Sequence, residues 1–243
     1  MKTALSSTAL SGHDVRVWRE VDSPVAKQKV EQKQEDRYAE HAKKEYFGKR
    51  FADVILGIMG LLIYASLFPI IALGIKIASP GPVIFKQKRT GLFGKSFTCY
   101  KFRTMHLVEK KSRNGEPVIT EKGDRRIFRF GQFLRKTNLD ELPQIINVLQ
   151  GHMSLVGPRP YPVEECKYWD EVFDDHYYRY IMMPGVTGLA QAKGFRGGTL
   201  DEHKMRKRLD YDLIYTEKNS LFYDLKIIWL TVYRMFARKT NGH

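Results

Sequence analysis

The sequence predicts a helix-rich α+β fold held at a membrane, and three observations carry that prediction. An uncharged, apolar run of 22 residues extends from Val54 to Ile75. Short segments with two-residue alternation follow it, punctuated by Gly91 and Gly94. Beyond them, apolar residues recur at three- and four-residue spacing, first around Ile127 to Leu134 and again after Ser220.

In chain order, residues 1–46 form a polar extension, mobile or helical at the surface. Its mixed-charge tract "KQKVEQKQEDRYAEHAKKE" contains nothing like the apolar core of a signal peptide. Residues 47–79 form the membrane unit. A single spanning helix needs about 20 apolar residues. A buried core helix normally keeps a polar stripe, and here only Tyr64 and Ser66 interrupt the run. Pro69 removes one backbone hydrogen bond at a cost of about 3 kcal/mol, which predicts a kink or break near Leu67 and Phe68. Lys43, Lys44, Lys49 and Arg50 precede the run, and Lys76, Lys86, Lys88 and Arg89 follow it. Equally basic flanks give no orientation, so a kinked spanning helix and a re-entrant hairpin both stay open.

Residues 80–243 then read as a domain outside the bilayer. "ASPGP" is a rigid turn, after which Val83 to Phe85 and the Phe97–Cys99 alternation suggest two short strands around a glycine turn. Lys86, Lys88, Arg89, Lys95, Lys101 and Arg103 follow one another with no acid between them. Such a run is either a solvated face beside anionic lipid or a phosphate-binding wall. A polar loop from Leu107 to Asp124 leads to a helix with Ile127, Phe130, Phe133 and Leu134 on one face and Arg126, Arg129 and Lys136 on the other.

"TNLDELPQIINVLQG" carries two adjacent acids. Pro143 is tolerated only in a first turn, so Asp140 is expected at the N-cap and Glu141 at the first helical position, with Gly151 as the stop. Leu142, Ile145, Ile146 and Leu149 would form the apolar face. Capping alone explains such carboxylates. Beside Arg135, however, the pair can also hold a divalent cation that bridges to a pyrophosphate, and an ionised Asp140 can act as a nucleophile. Arg159 stands between Pro158 and Pro160, which presents its guanidinium in a preset direction suited to phosphate. Arg196 lies in the glycine-rich "MMPGVTGLAQAKGFRGGT", suited to close backbone approach to a ligand but without a P-loop or dinucleotide fingerprint. The C-terminal "SLFYDLKIIWLTVYRMFARK", with Trp229, Tyr233 and Phe236, is either an interfacial amphipathic helix or a core helix.

Composition narrows the function classes. Over 243 residues, 43% hydrophobic content supports a folded core, and 41 Lys and Arg against 27 Asp and Glu give +14, which attracts phosphates. Cys99 and Cys166 lack CxxC spacing and the seven histidines form no ligand pattern, so neither a disulfide framework nor a structural zinc is expected. A nucleic-acid-binding protein would leave the apolar run unexplained and would lack a recognisable motif. A non-enzymatic membrane scaffold would explain the run and the charge, but not two acids beside a proline-flanked arginine.

Four blocks, "KRTGLFGKSFTCYKFRTM", "TNLDELPQIINVLQGHMSLVGPRP", "PGVTGLAQ" and "YDLIYTEKNSLFYDLKIIWLT", together resemble the ordered signatures of the bacterial sugar transferase family, over residues 47–239. The resemblance implies a monotopic protein of the cytoplasmic membrane, with a re-entrant hairpin broken at Pro69 and its catalytic domain on the cytoplasmic face. Phe68 stands where many members have serine before the proline. The implied reaction moves a sugar 1-phosphate from a UDP-sugar to undecaprenyl phosphate with Mg²⁺, releasing UMP, and begins exopolysaccharide synthesis. It would pass through a phosphosugar on Asp140, with Glu141 completing the dyad and both acids near the metal. Lys101, Arg103, Arg135, Arg159 and Arg196 would form the substrate-binding set. "GFRGGT" is similar to members that use UDP-glucose or UDP-galactose. Membrane lipids are expected partners, nucleic acid is not, and a homo-oligomer is compatible with the sequence.

Overall fold

The uncharged run folds as one helix, α1 (Lys49–Ala78), in a computed structural model that describes residues 45, 48–107, 120, 123–199 and 201–237. Most of the N-terminal extension and most of the predicted Leu107–Asp124 loop lie outside the described residues. At about 1.5 Å per residue, the 30 residues of α1 reach roughly 45 Å.

One stripe of α1 lies against the rest of the molecule along its whole length. The Asp53 carboxylate accepts hydrogen bonds from Leu155 N (2.9 Å) and Ser154 Oγ (3.1 Å). Gly57 and Gly60 sit directly over Leu149 and Ile145, where a Cβ would stand 2.9 Å from the terminal methyl groups of those two side chains. Tyr64 and Phe68 set their rings 5.8 and 5.9 Å from that of Phe102. Ile71 and Ile75 enter a core with Phe102, Phe128 and Leu134. These contacts recur every three or four residues, the period of a helix face. On the opposite side Ile58, Met59, Leu62, Ile63, Ile70 and Leu73 are exposed.

The break expected at Pro69 is absent, because the helix runs without interruption through that residue. Proline removes the bond from its own nitrogen and crowds the carbonyl four residues before it, a cost that packing on either side can offset. The Tyr64–Phe68–Phe102 ring cluster before it and the Ile71–Ile75 packing after it hold both neighbouring turns against one surface.

The two predicted strands form an antiparallel hairpin of β1 (Ile84–Thr90) and β2 (Ser96–Phe102), joined by a 3-10 turn at Leu92–Gly94. Phe85 stands opposite Lys101, and Arg89 opposite Phe97. Helix α2 (Arg129–Thr137) buries Leu134, and α3 (Gln144–Leu149) buries Ile145 and Val148. From α3, Asn147 donates to Thr98 O (2.7 Å) and accepts from Tyr100 N (3.0 Å), so one side chain locks the helix to β2.

Between α2 and α3 the acids are not where the capping pattern predicted. Asn138 takes a left-handed conformation (φ 57) and ends α2, and a 3-10 turn at Leu139–Glu141 follows. Helix α3 starts only at Gln144, with Pro143 before it and no side-chain cap. Asp140 is therefore not an N-cap.

Strands β3 (Ser154–Val156) and β4 (Gly185–Thr187) pair in parallel, with α4 (Val163–Val172) between them in sequence and α5 (Leu189–Ala192) directly after β4. Helix α6 (Glu202–Lys218) buries two charged residues, Arg208 and Asp212. Helix α7 (Leu221–Phe236) turns Asp224 and Ile227 inward and leaves an apolar outer face, with Phe222 84% and Trp229 62% exposed. Ser220 caps it by accepting from Tyr223 N.

Lys49 ties these elements together. Its ammonium meets Asp224 Oδ2 (2.7 Å), Tyr215 OH (3.2 Å) and Val156 O (3.0 Å), joining α1 to α7, α6 and β3. Its neighbour Arg50 donates to Val148 O (2.6 Å) and Leu149 O (2.9 Å) at the end of α3. Two cations of the N-terminal flank thus hold the fold together.

Candidate active site

A cavity of about 710 Å³ opens between the β1–β2 hairpin, the turn after α2 and the loops that follow β3 and α5. Asp140 and Glu141 line it together with seven cationic side chains. The left-handed Asn138 and the 3-10 turn aim both acids into this space instead of at the start of α3.

The two carboxylates have opposite surroundings. Glu141 Oε1 accepts from Lys101 Nζ (2.6 Å) and Arg159 Nη2 (2.7 Å), while Oε2 faces Arg159 Nη1 at 3.4 Å. Burial alone would raise its pKa, but the Arg159 guanidinium and the Lys101 ammonium hold it well below the usual carboxylate range. Glu141 is therefore a fixed anion. Asp140 receives no hydrogen bond among the described residues. Burial and then the adjacent Glu141 carboxylate push its pKa up to about 6, against the pull of Lys101, Arg135 and Arg159. Above that value it presents an ionised oxygen that nothing described here occupies.

The cations are held from behind. Lys101 projects from β2 opposite Phe85, and burial lowers its pKa with Glu141 opposing. Arg135 donates from Nε to Thr104 Oγ1 (2.8 Å), and Arg196 donates to Asn138 Oδ1 (2.5 Å) beside the acid turn. The Arg159 backbone carbonyl accepts from Arg179 Nη2 (2.6 Å), and Arg179 also pairs with Asp212 Oδ2 (2.9 Å) and lies 4.0 Å over the Tyr161 ring. Arg208 grips the other loop, donating to Gly197 O (2.6 Å) and Arg196 O (2.9 Å). Helix α6 thus positions both arginine-bearing loops.

Of the residues singled out in the sequence, Lys101, Arg135, Asp140, Glu141, Arg159 and Arg196 converge on this cavity. Arg103 lines it too, but its guanidinium is turned toward the end of α1. It donates to Ser79 O (2.6 Å), Ser79 Oγ (2.8 Å), Pro82 O (2.6 Å) and Met105 O (3.2 Å). Pro69 is within α1 and does not line the cavity. The sequence reading passed over Gln87, Thr104, Asn138, Arg179, Arg208 and Asp212. Strand alternation was the available signal for part of this: Phe85, Gln87 and Arg89 line the cavity, whereas Lys86 and Lys88 point out to solvent.

The chain matches the family profile described as bacterial sugar transferase over residues 44–238. It belongs to the bacterial sugar transferase family. It is 43% identical over 192 residues to the UDP-glucose:undecaprenyl-phosphate glucose-1-phosphate transferase of Xanthomonas campestris pv. campestris, covering 79% of this chain and 39% of the relative. The protein of the same name from Escherichia coli K12 is 42% identical, with 79% and 40% covered. The exopolysaccharide production protein PSS of Rhizobium leguminosarum bv. phaseoli is 42% identical, covering 78% of this chain and 96% of that protein. The chain thus spans about two fifths of the first two relatives and nearly the whole of the third.

Proposed function

We propose that this bacterial sugar transferase moves a sugar 1-phosphate from a UDP-sugar to undecaprenyl phosphate, with UMP as the other product. The observation that carries the proposal is the asymmetry of the dyad: Glu141 is clamped by Lys101 and Arg159, while Asp140 is unoccupied. An Asp140 oxygen attacks the phosphorus that bears the sugar. The bridging P–O bond breaks, its electron pair leaves with UMP, and an aspartyl phosphosugar remains. A phosphate oxygen of the lipid then attacks the same phosphorus and returns Asp140 as a carboxylate. Lys101, Arg135, Arg159 and Arg196 spread the charge on the reacting phosphoryl group. The names of the relatives favour glucose as the sugar and exopolysaccharide synthesis as the process.

The acid pair also fits Mg²⁺, a cation usually held by one or two carboxylates together with substrate phosphates. Among the described residues no group of three or more His, Cys, Asp or Glu could hold a metal alone. Asp140 and Glu141 would hold the ion with the diphosphate, where it would neutralise charge on the leaving UMP. Assay of UMP release from UDP-glucose and undecaprenyl phosphate tests the reaction. Excess EDTA should stop turnover and Mg²⁺ restore it, and full activity in EDTA would remove the metal. Arg159→Lys keeps the charge but loses the two-pronged contact with Glu141, so turnover should fall roughly 10- to 100-fold. A wild-type rate in that variant would show that a point charge suffices.

The membrane placement we propose is monotopic, at the inner membrane with the cavity on the cytoplasmic face. Its support is that α1 contacts the same domain from Asp53 to Ile75 while exposing an apolar flank, and that α7 exposes Phe222 and Trp229 as an interfacial helix would. Single cysteines at positions 44 and 88, in a background lacking Cys99 and Cys166, should both react only from the cytoplasmic side. Labelling of either from outside intact cells would establish a spanning helix instead.

A further inference from the structure

Next to the catalytic cavity lies a second, apolar groove of about 640 Å³, walled by Gly74, Ile77 and Ala78 of α1 and by Ile127, Phe128 and Phe130 at the start of α2. His106 lines both spaces, so a single side chain forms their common wall. That imidazole is itself fixed, with Nδ1 3.0 Å from Ser79 Oγ and its ring edge-on to Phe128. The groove floor is set by Gly74, where a Cβ would stand 2.6 Å from the Phe130 ring. Its rim is Ile77, 79% exposed on the apolar flank of α1. Among the described residues no carboxylate lines it, and the one cation that does, Arg129, begins α2.

The two substrates of the proposed reaction differ in what they require of a surface. A nucleotide sugar is polar apart from the face of its uracil ring and has no hydrocarbon chain to place in an apolar groove. A polyprenyl phosphate joins one phosphate to a long hydrocarbon chain, so its site must pass from cations to apolar side chains within the length of its first units. The cavity and groove make that transition across His106, and the far end of the groove opens at Ile77 onto the surface assigned to lipid. Resting on the reaction proposed above, we infer that this groove seats the first isoprene units of the lipid acceptor. The phosphate passes His106 toward Asp140, and the remaining chain leaves over Ile77 into the bilayer.

The test uses the full chain in nanodiscs and a farnesyl phosphate carrying a diazirine on its chain. Irradiation followed by peptide mapping should label residues 74–78 or 127–130, and undecaprenyl phosphate should suppress the label. Competed labelling elsewhere would overturn the groove while leaving the reaction intact. Failure of undecaprenyl phosphate to compete, together with no UMP release by the unlabelled protein, would overturn the reaction on which the groove rests. A kinetic arm uses Ile77→Trp, which narrows the rim at an exposed position. It should raise KM for undecaprenyl phosphate about tenfold and shift KM for the UDP-sugar by less than about twofold. Ile63→Trp, on the exposed flank of α1 away from the groove, controls for disturbance of the membrane and should behave as wild type. An unchanged lipid KM in Ile77→Trp would sink the assignment.

Discussion

Asp140→Asn protein mixed with a UDP-sugar should release no UMP and gain no mass, whereas the wild-type protein should release about one equivalent and carry the sugar phosphate on Asp140 before any lipid is added. The amide keeps the size of the side chain but offers no anionic oxygen to form the acyl phosphate, so turnover should fall more than about a thousandfold. Glu141→Gln should behave differently. It leaves the nucleophile in place but removes the anion that holds Lys101 and Arg159, so the adduct should still form, about a hundredfold more slowly. Direct attack by the lipid in a ternary complex gives the opposite pattern: no adduct without lipid, and two variants with similar rates. Intact-mass measurement decides the matter. An unmodified wild-type chain under conditions of brisk turnover would exclude the covalent route.

The second large effect is expected well behind the acids. Arg179→Met should lower the unfolding free energy by about 3–5 kcal/mol, because it removes the cation from beside the buried Asp212. Burial already pushes Asp212 up to about 6 even with Arg179 opposing. The same change releases the carbonyl of Arg159 and with it the guanidinium on Glu141, so activity should fall too. These two losses can be separated. Adding Asp212→Leu removes the stranded acid and should recover most of the stability in denaturant titration, yet kcat should stay low because Arg159 is still unheld. Recovery of both together would mean that Arg179 acts only on stability.

How much of this was legible in the sequence depended on how local the cause was. Strand alternation and the Gly91–Gly94 turn gave the hairpin, and helical spacing gave α2 only from Arg129 onward: Arg126 and Ile127 precede the helix, Ile127 in a bridge to Met105, and Phe133 is half exposed while Leu134 is buried. The position of Asp140 was misjudged although a competing local signal was present: Asn138, the side chain other than glycine that best tolerates the left-handed region, follows Arg135 and Lys136 and ends α2, so the acids fall in a separate 3-10 turn. The unbroken α1 depends on Phe102, and the orientation of Arg103 on Ser79. The least legible parts were the supports of the cavity, since Arg179 and Asp212 are 20 and 53 residues away from Arg159. A buried Arg208–Asp212 spacing of four on one stripe of α6 was the faint trace available.

Lys49, Arg50 and Asp53 have a practical consequence for anyone grafting this protein. Because α1 begins with side chains committed to β3, α3 and α7, and continues with glycines fitted to Leu149 and Ile145, it cannot be exchanged for a generic hydrophobic segment. Deleting the chain up to residue 78 would remove one wall of the core itself, and detergent would have to shield a face that belongs to the fold.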